Sequence, residues 1–379
     1  MSVARKLALS AICIAALLAG NAAAALAADL PAPTKKMLAD LKMDQSILSG
    51  LDDELAVPAE WVEAAKKEGA VRIGGSWDPN NFKSMTAAFA ARYPYIKVSY
   101  SRGSFQSRVI TPLMAAKEGR YVVDVVASIG GALQHYFEAD LLEDLNSLPG
   151  AKNVPVGMKD PKGRWIGMRL RHWCLAYNVE KVKKSELPAT WDDLLNNPRW
   201  RNGKIGMNNL PQVWLLPLWG EFGESWGANF TTKLFQDVRP QIRKEGANAL
   251  AELLIAGEFD VALPAGDHHI GDLAEKGAPI SWHCPTPVPS ALGEITVLKG
   301  SPNADSGRIF ANWLLSKEGQ IAQYEWEQAI PVHKDLQLPV FEKFPDEILD
   351  KKIAFREPSL AEDDSALLNV WNPLWEQPH

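Results

Sequence analysis

Arginine, histidine and tryptophan side chains lie close together in residues 168–178, which read MRLRHWCLAYN. Polar and apolar residues alternate with the period of a β-strand, so Arg169 and Arg171 are predicted to point to the same face. Two guanidinium groups on one face are costly in an apolar core. On the wall of a cleft, each can bind a carboxylate or phosphate through paired hydrogen bonds. The stretch therefore predicts a strand that shows an anion-binding face to a cleft.

Serine follows each of three predicted apolar strands. The strands are predicted at 70–74, 96–100 and 122–127, and the serines are Ser76, Ser104 and Ser128. Amphipathic helices predicted between them indicate a parallel sheet covered on both faces. Ligands of such sheets bind beyond the carboxyl ends of the strands. Each serine can cap the next helix or contact a ligand there. The two roles do not exclude each other, because a helix cap and a ligand donor occupy the same position. Trp77 and Asn208, at similar strand ends, are further ligand-contact candidates.

Asp267, His268 and His269 follow another predicted strand, at 260–264. Imidazole suits zinc, copper, nickel or ferrous iron. Adjacent residues on a helix do not share a face, however, and no further ligands stand at a recognisable spacing. We therefore predict that Asp267 and His268 contact a ligand. His268 and His269 are kept only as weak metal candidates, with no metal site expected.

Composition bounds the class of protein. The chain has 379 residues, 46% hydrophobic and 23% charged, with a net charge of −6, which is typical of a globular protein with room for two domains. No long basic run is present, so nucleic acid is not an expected partner. No catalytic residues are predicted, because the sequence has neither a Gly-x-Ser-x-Gly elbow nor a His-Glu-x-x-His motif.

The first residues have the pattern of a secretory signal peptide. Arg5 and Lys6 precede the apolar stretch 7–18, and Ala25-Leu26-Ala27 is a small-residue cleavage pattern. The apolar stretch is too short for a membrane anchor. We expect residues 1–27 to be removed and the mature protein to be periplasmic, without stable membrane insertion. Cys174 and Cys284 then remain, and either pair or stay buried as small apolar groups.

Short motifs that occur in a fixed order over residues 60–335 resemble the family 1 extracellular solute-binding proteins, the periplasmic receptors of ABC importers. The motifs are residues 61–73, 93–98, 124–126, 176–178, 187–196, 203–205, 256–260, 275–279 and 311–320. Each motif alone is a weak indicator of the family, but the complete set in this order is a strong one.

The resemblance implies an α/β, two-lobed periplasmic-binding-protein fold (type II). Each lobe would be a mainly parallel sheet flanked by helices, and hinge strands would cross between the lobes. The expected divisions are an N-terminal extension and first helix (28–69), lobe 1 (70–167 plus 288–379), lobe 2 (173–282) and hinge crossings (168–172 and 283–287). Because Cys174 and Cys284 would fall on the two crossings, we hypothesise a disulfide across the hinge.

The resemblance also implies that the protein captures a small ligand and delivers it to an inner-membrane ABC permease, as a monomer without a cofactor. Ferric-ion receptors in this family use adjacent tyrosines, where this chain reads Gly-Asp-His-His at 266–269. With Arg169 and Arg171, this departure favours a small organic anion, a carboxylate that can bear a ring. The alternatives are ferric iron or another metal ion, and a secreted hydrolase. Sequence alone also leaves open a sensor that has no permease.

Overall fold

The structure is a computed structural model that describes residues 30–104, 106–355 and 361–377. The predicted signal peptide at 1–27 lies outside the described residues. Within those ranges, no helix is long and apolar enough to cross a membrane.

The described residues form α-helices and β-strands that alternate along most of the chain. The helices are α1 (Ala32–Asp40), α2 (Leu51–Leu55), α3 (Ala59–Glu68), α4 (Pro79–Met85), α5 (Ala87–Arg92), α6 (Thr111–Lys117), α7 (Leu133–Glu138), α8 (Trp191–Asn196), α9 (Pro211–Phe222), α10 (Glu224–Lys233), α11 (Ala247–Ala256), α12 (Asp267–Glu275), α13 (Ala304–Leu315), α14 (Lys317–Glu327) and α15 (Ala361–Trp375). The strands are β1 (Ala70–Gly75), β2 (Lys97–Arg102), β3 (Val125–Ala127), β4 (Ile166–Asn178), β5 (Ile205–Asn208), β6 (Gln241–Arg243), β7 (Val261–Gly266), β8 (Ile280–His283), β9 (Val288–Val297) and β10 (Ile353–Phe355).

Local sequence explains where several of these elements begin and end. Helix α3 stops at Gly69, whose φ of 68° lies in the left-handed region that glycine adopts without strain. Helix α8 starts after Thr190, whose hydroxyl accepts from the backbone N–H of Asp193, while the Asp193 carboxylate accepts from the N–H of Thr190. This reciprocal capping box is the one that the Thr-Trp-Asp-Asp sequence predicts.

Strand β4 belongs to both halves of the sheet. The strand order is β2-β1-β3-β9-β4-β7-β5-β6, with β10 on β9 and β8 on β4. Residues 166–172 of β4 pair with β9, and residues 173–178 pair with β7 and β8, all antiparallel. The pairs β1/β2, β1/β3, β5/β7 and β5/β6 are parallel. The chain is therefore a two-lobed α/β protein whose lobes meet at β4.

Each lobe has its own apolar core. In the first lobe, β1, β3, β9 and the start of β4 pack against α13 and α14, and the N-terminal helix α1 adds Met37 and Leu38 to this core. In the second lobe, β5, β7 and the end of β4 pack against α9 and α11. Helix α9 is apolar on all sides and carries the buried Trp214 and Trp219, so it needs cover on its outer face as well.

The C-terminal tail departs from the expected division. We expected residues 288–379 to belong to the first lobe, but Ile348, Ala354, Leu367 and Trp371 are buried in the core of the second. Helix α15 packs against α9 and α10. The physical reason is that the apolar side of α15 supplies the outer cover that α9 requires.

A disulfide joins the two places where the chain passes between lobes. Cys174 lies in β4 and Cys284 directly follows β8, and their Cα atoms are 5.1 Å apart. The backbone N–H of Cys284 lies 3.4 Å from Oε2 of the buried Glu347. Lys351 donates to the carbonyl of Cys284 at 2.6 Å. The second crossing is therefore tied both to the first crossing and to the C-terminal tail.

Candidate functional site

The candidate site lies where the strand ends of both lobes meet β4. In the first lobe, β1 and β3 end at the loops that carry Ser76 and Ser128. In the second lobe, β5 ends at Asn208 and β7 leads into α12 at Asp267. A cavity of about 500 Å³ beside Ser128 is lined by residues of both lobes. The carboxyl ends of parallel strands thus face one another across the gap between the lobes.

Arg169 is held in this gap by hydroxyl groups. Its Nη2 donates to the Oγ of Ser76 at 2.9 Å and to the Oγ of Ser128 at 3.4 Å. The guanidinium carbon lies 5.2 Å from the centre of the Trp77 ring. On the paired strand β9, a Cβ at Gly293 would be 2.9 Å from Nε of Arg169, so glycine at that position makes room for the side chain.

The charge of Arg169 has no carboxylate within ion-pairing distance among the described residues. The residue is 8% exposed, and its Nη1 has no hydrogen-bond partner there. Burial, helped by the neighbouring charge of Arg171, lowers the pKa of Arg169 to about 10, which still leaves it protonated at neutral pH. Burying a cation without a partner is energetically unfavourable. A bound anion balances the charge and accepts hydrogen bonds from the guanidinium, which removes this penalty.

Arg171 points to the same side of β4 but already has a partner. Its Nη2 donates to the backbone carbonyl of Glu327 at 2.8 Å and approaches that residue's Oε2 at 3.3 Å. The other carboxylate oxygen of Glu327 accepts from the N–H of Asp78 at 3.1 Å. Burial lowers the pKa of Arg171, opposed by the charges of Glu327 and Asp267. The two arginines therefore differ: Arg171 ties the end of α14 to β4, and Arg169 faces the gap.

The three strand-end serines also differ in their contacts. Ser76 and Ser128 both reach Arg169, and Ser128 does so from a left-handed backbone with φ of 57°. Arg108 donates to the carbonyls of Ala127 and Ser128 at 3.0 and 2.5 Å, which stabilises that backbone. Ser104 is exposed and caps its own turn, accepting from the N–H of Ser107 at 3.3 Å.

Trp77 is completely buried in the first lobe. Its contact with a ligand stays a prediction. The ring packs against Phe82 and Tyr100, with centroids 5.4 and 6.0 Å away. These contacts hold the ring beside the guanidinium of Arg169, and its indole N–H has no hydrogen-bond partner among the described residues.

In the second lobe, Asn208 is 1% exposed, yet neither atom of its carboxamide has a hydrogen-bond partner among the described residues. Buried amides normally have partners, so this side chain is suited to contact a ligand. This role remains a prediction.

Asp267 and His268 lie at the start of α12. His268 Nδ1 is 3.5 Å from Oδ1 of Asp267, and its ring meets the edge of Trp173 at 5.8 Å. A Cβ at Gly266 would be 2.4 Å from the His268 ring. Glycine at this position therefore leaves room for the ring against the end of β7. Burial opposes ionisation of Asp267, but the hydrogen bond with His268 and the charge of His172 lower its pKa. Asp267 is therefore an ionised, buried carboxylate.

His269 points elsewhere, as its helical position predicts. Burial lowers its pKa, and the charge of His268 adds to the effect. In the described ranges, the group that brings three His, Cys, Asp or Glu ligand atoms together is Glu54, His333 and Asp335, away from the gap. The ammonium of Lys317 already lies 3.1 Å from Asp335 and 3.7 Å from Glu54. That group is therefore a set of ion pairs tying the N-terminal extension to α14.

Sequence reasoning missed the residues of the 500 Å³ cavity that come from distant segments. Glu294 is 2% exposed, and one carboxylate oxygen accepts from the N–H of Gly130 at 2.6 Å. Burial raises the pKa of Glu294. A glutamate among the mainly apolar residues of β9 was the signal that could have revealed it. Gln212 of α9 and Asp364 of α15 also line this cavity, and no local pattern marks them.

Comparison with known proteins agrees with this architecture. A family model described as bacterial extracellular solute-binding protein matches residues 84–351. Iron uptake protein A1 of Synechocystis sp. (strain ATCC 27184 / PCC 6803 / Kazusa) is 27% identical over 209 residues, 48% of this chain and 56% of that protein. An uncharacterized protein of Haemophilus influenzae (strain ATCC 51907 / DSM 11121 / KW20 / Rd) is 26% identical over 158 residues, 40% of this chain and 44% of that protein. The chain thus spans about half the length of these curated relatives.

Solved structures share the fold over most of the chain. Trichodesmium IdiA (FutA), in complex with iron and citrate ligands, superposes with a TM-score of 0.68 at 19% identity, covering 81% of this chain and 100% of that one. Iron-bound HitA from Pseudomonas aeruginosa gives a TM-score of 0.66 at 19% identity, covering 80% of this chain and 99% of that one. At 19% identity, the structural similarity to these two proteins shows that they share the two-lobed fold with this chain.

Proposed function

We propose, from the premise that this chain belongs to the bacterial extracellular solute-binding proteins, that it captures a small ligand between its lobes and delivers it to a membrane permease. The family and the fold are those of substrate-binding transport proteins. Binding would favour the arrangement in which the lobes close on the ligand, and no bond of the ligand is broken.

The ligand that we propose is ferric iron carried as an anionic carboxylate chelate. The named relatives support iron over the metal-free organic anion that we expected from the sequence. The observation that supports an anionic form of the cargo is Arg169, a buried cation whose side-chain partners are the hydroxyls of Ser76 and Ser128. A chelate with net negative charge supplies the carboxylate oxygens that this guanidinium lacks.

Bare ferric ion fits the gap poorly. Arg169 places a positive charge without a carboxylate partner on its wall. Tyr100 is the tyrosine beside Trp77, and its hydroxyl donates to the Trp77 carbonyl at 2.7 Å. Burial raises the pKa of Tyr100 to about 12, so converting it to the tyrosinate that suits a hard trivalent ion costs more than for an exposed tyrosine. Asp267 and His268 remain as groups that could reach the metal of a chelate.

A second candidate ligand is a small organic anion without metal. The same unpaired Arg169 supports it, and the adjacent cavity of about 500 Å³ has room for such a molecule. Apolar residues of α9, including Val213 and Leu216, line one wall of this cavity and would contact its carbon skeleton.

Titration calorimetry with citrate, ferric citrate and ferric nitrilotriacetate separates these proposals. We expect ferric citrate to bind at least tenfold more tightly than citrate if the chelate is the cargo. Equal binding of citrate with and without iron would favour the metal-free anion. Tight binding of iron from nitrilotriacetate with no dependence on citrate or on Arg169 would overturn both. A thermal-shift screen of other organic acids extends the test, because ligands that bind only the folded state raise its melting temperature.

A further inference from the structure

Helix α15 lies beyond the part of the chain that the family model matches, which ends at residue 351. Its second half is fixed to the second lobe. Leu367 and Trp371 are buried in that lobe's core, and the indole N–H of Trp371 donates to the side-chain oxygen of Asn209 at 2.8 Å. Asn209 directly follows β5, so α15 is anchored next to the strand end that carries Asn208.

The first half of α15 reaches the opposite lobe. A Cβ built on Gly131 would lie 2.9 Å from Oδ2 of Asp364, so this carboxylate packs directly on the Gly131 backbone. Gly130 and Gly131 belong to the loop after β3, three residues or fewer beyond Ser128. The helix therefore spans the gap from its anchor on lobe two to the strand-end loop of lobe one.

Asp364 lines the 500 Å³ cavity between the lobes. The cavity is lined by Asp364, Arg108, Ser128 and Gln212, among others. Ser128 also contacts Arg169 through its hydroxyl at 3.4 Å. A carboxylate of the chain itself thus lines an interlobe cavity together with one cationic side chain, Arg108, and with the buried Glu294.

We propose that the Gly131 loop is a second anion subsite of the ligand cleft and that Asp364 occupies it as an internal competitor. This inference rests on the proposed function, because it requires that the cargo carries carboxylate groups. A ligand carboxylate takes the place of Asp364 next to Arg108 while another binds Arg169. A tethered competitor acts at high effective concentration, so it weakens the apparent affinity and rejects anions that engage only one subsite.

Substitution of Asp364 tests the competition in the full-length mature chain. We expect Asp364→Asn to tighten citrate binding at least fivefold at low ionic strength, with the gain shrinking as salt screens the charges. Gly131→Ala tests the subsite itself, because its Cβ would occupy the place that the Asp364 carboxylate and the ligand carboxylate share; added to Asp364→Asn, it should cancel the gain in affinity. The matched control is Asp237→Asn, which makes the same charge change at an exposed site in the second lobe.

Hydrogen exchange of α15 gives a readout that does not depend on affinity. Citrate should speed exchange at the start of the described helix, at residues 364–368, in the wild-type protein but not in Asp364→Asn. Unchanged or weaker citrate binding in Asp364→Asn, while the wild type binds, would overturn this inference and leave the proposed function standing. Binding by Asp364→Asn when the wild type binds no citrate would support it. If neither protein binds citrate or ferric citrate, the proposed ligand is wrong and this inference falls with it.

Discussion

Nη2 of Arg169 lies 2.9 Å from the hydroxyl oxygen of Ser76, a residue 93 positions earlier in the chain. The contact fixes the guanidinium between the crossing strand and the end of β1. A hydroxyl orients the charge without neutralising it, whereas the carboxylate of Glu327 neutralises Arg171 two residues further on. One position on β4 is therefore prepared for a ligand and the other is part of the scaffold.

Replacement of Arg169 should separate binding from stability. We expect Arg169→Met to weaken binding of the anionic ligand more than about tenfold, since a charge-assisted hydrogen bond is lost. The free energy of unfolding should stay equal or rise, because the variant removes a buried cation that has no carboxylate partner. Calorimetry and urea denaturation measure the two quantities. Arg102→Ala, at an exposed arginine beside Asp78, is the control. A large loss of stability in Arg169→Met would mean that the residue is structural.

Replacement of Arg171 should have the opposite profile. Arg171→Met leaves the largely buried Glu327 without its partner, so the free energy of unfolding should fall by about 1–3 kcal/mol. Affinity should change less than in Arg169→Met. Urea denaturation of the two variants under identical conditions checks the contrast. If Arg171→Met abolished binding without destabilising the fold, the assignment of the two arginines would have to be exchanged.

The disulfide should contribute strongly to stability. Cys174 and Cys284 enclose a separation of 110 positions, and closing a loop of that length stabilises the fold by about 4–5 kcal/mol in the entropic model. We expect the double variant Cys174→Ala/Cys284→Ala to lose an amount of this order in denaturant unfolding. Reduction of the wild-type protein should produce a similar shift, and it should produce none in the double variant. Thiol labelling of the denatured, unreduced mature protein, which lacks Cys13 of the predicted signal peptide, should detect no free cysteine.

Glu347 should make the hinge sensitive to acid. Burial opposes its ionisation, but hydrogen bonds with His283 and Lys184 outweigh this and lower its pKa to about 2. The unfolded-state pKa of glutamate is about 4.3. The stabilisation is therefore complete above about pH 4.3 and is lost as the pH falls through the folded-state pKa of about 2.

In Glu347→Gln, the unfolding free energy should depend less on pH between about 4 and 2 than in the wild type. Chemical denaturation across this range measures the slope. Glu180→Gln, at an exposed glutamate, should keep the wild-type slope. Identical slopes in all three proteins would show that Glu347 does not carry the effect.

Local sequence patterns predicted much of the framework, because strand period, caps and strand-end loops act over a few residues. The shared face of Arg169 and Arg171 and the strand-end positions of Ser76 and Ser128 are examples. Pairing across the chain has no such local signal. Glu327 is 156 positions from Arg171, so sequence alone could not tell which arginine was already paired.

Two other features of the structure also depend on contacts between residues that are distant in the sequence. The burial of Trp77 depends on Phe82 and Tyr100, which come from a later helix and strand. The attachment of α15 to the second lobe depends on the apolar outer face of α9, which no feature of the tail itself reveals. The burial of Trp77 and the attachment of α15 both result from long-range packing. The same packing determines which residues line the cleft.

The path of the chain through the sheet has a consequence for the order of folding. Strand β9 pairs with both β3 and β4, so the sheet of the first lobe is incomplete until residues 288–297 are available. The strands of the second lobe lie between residues 173 and 283. For a chain that emerges from its N-terminus, the strands of the second lobe can pair before the sheet of the first lobe is complete, and the first lobe waits with an unpaired strand edge. The core of the second lobe is covered only later, when α15 arrives. Arrival of β9 completes the first lobe, and β8 just before it brings Cys284 next to Cys174.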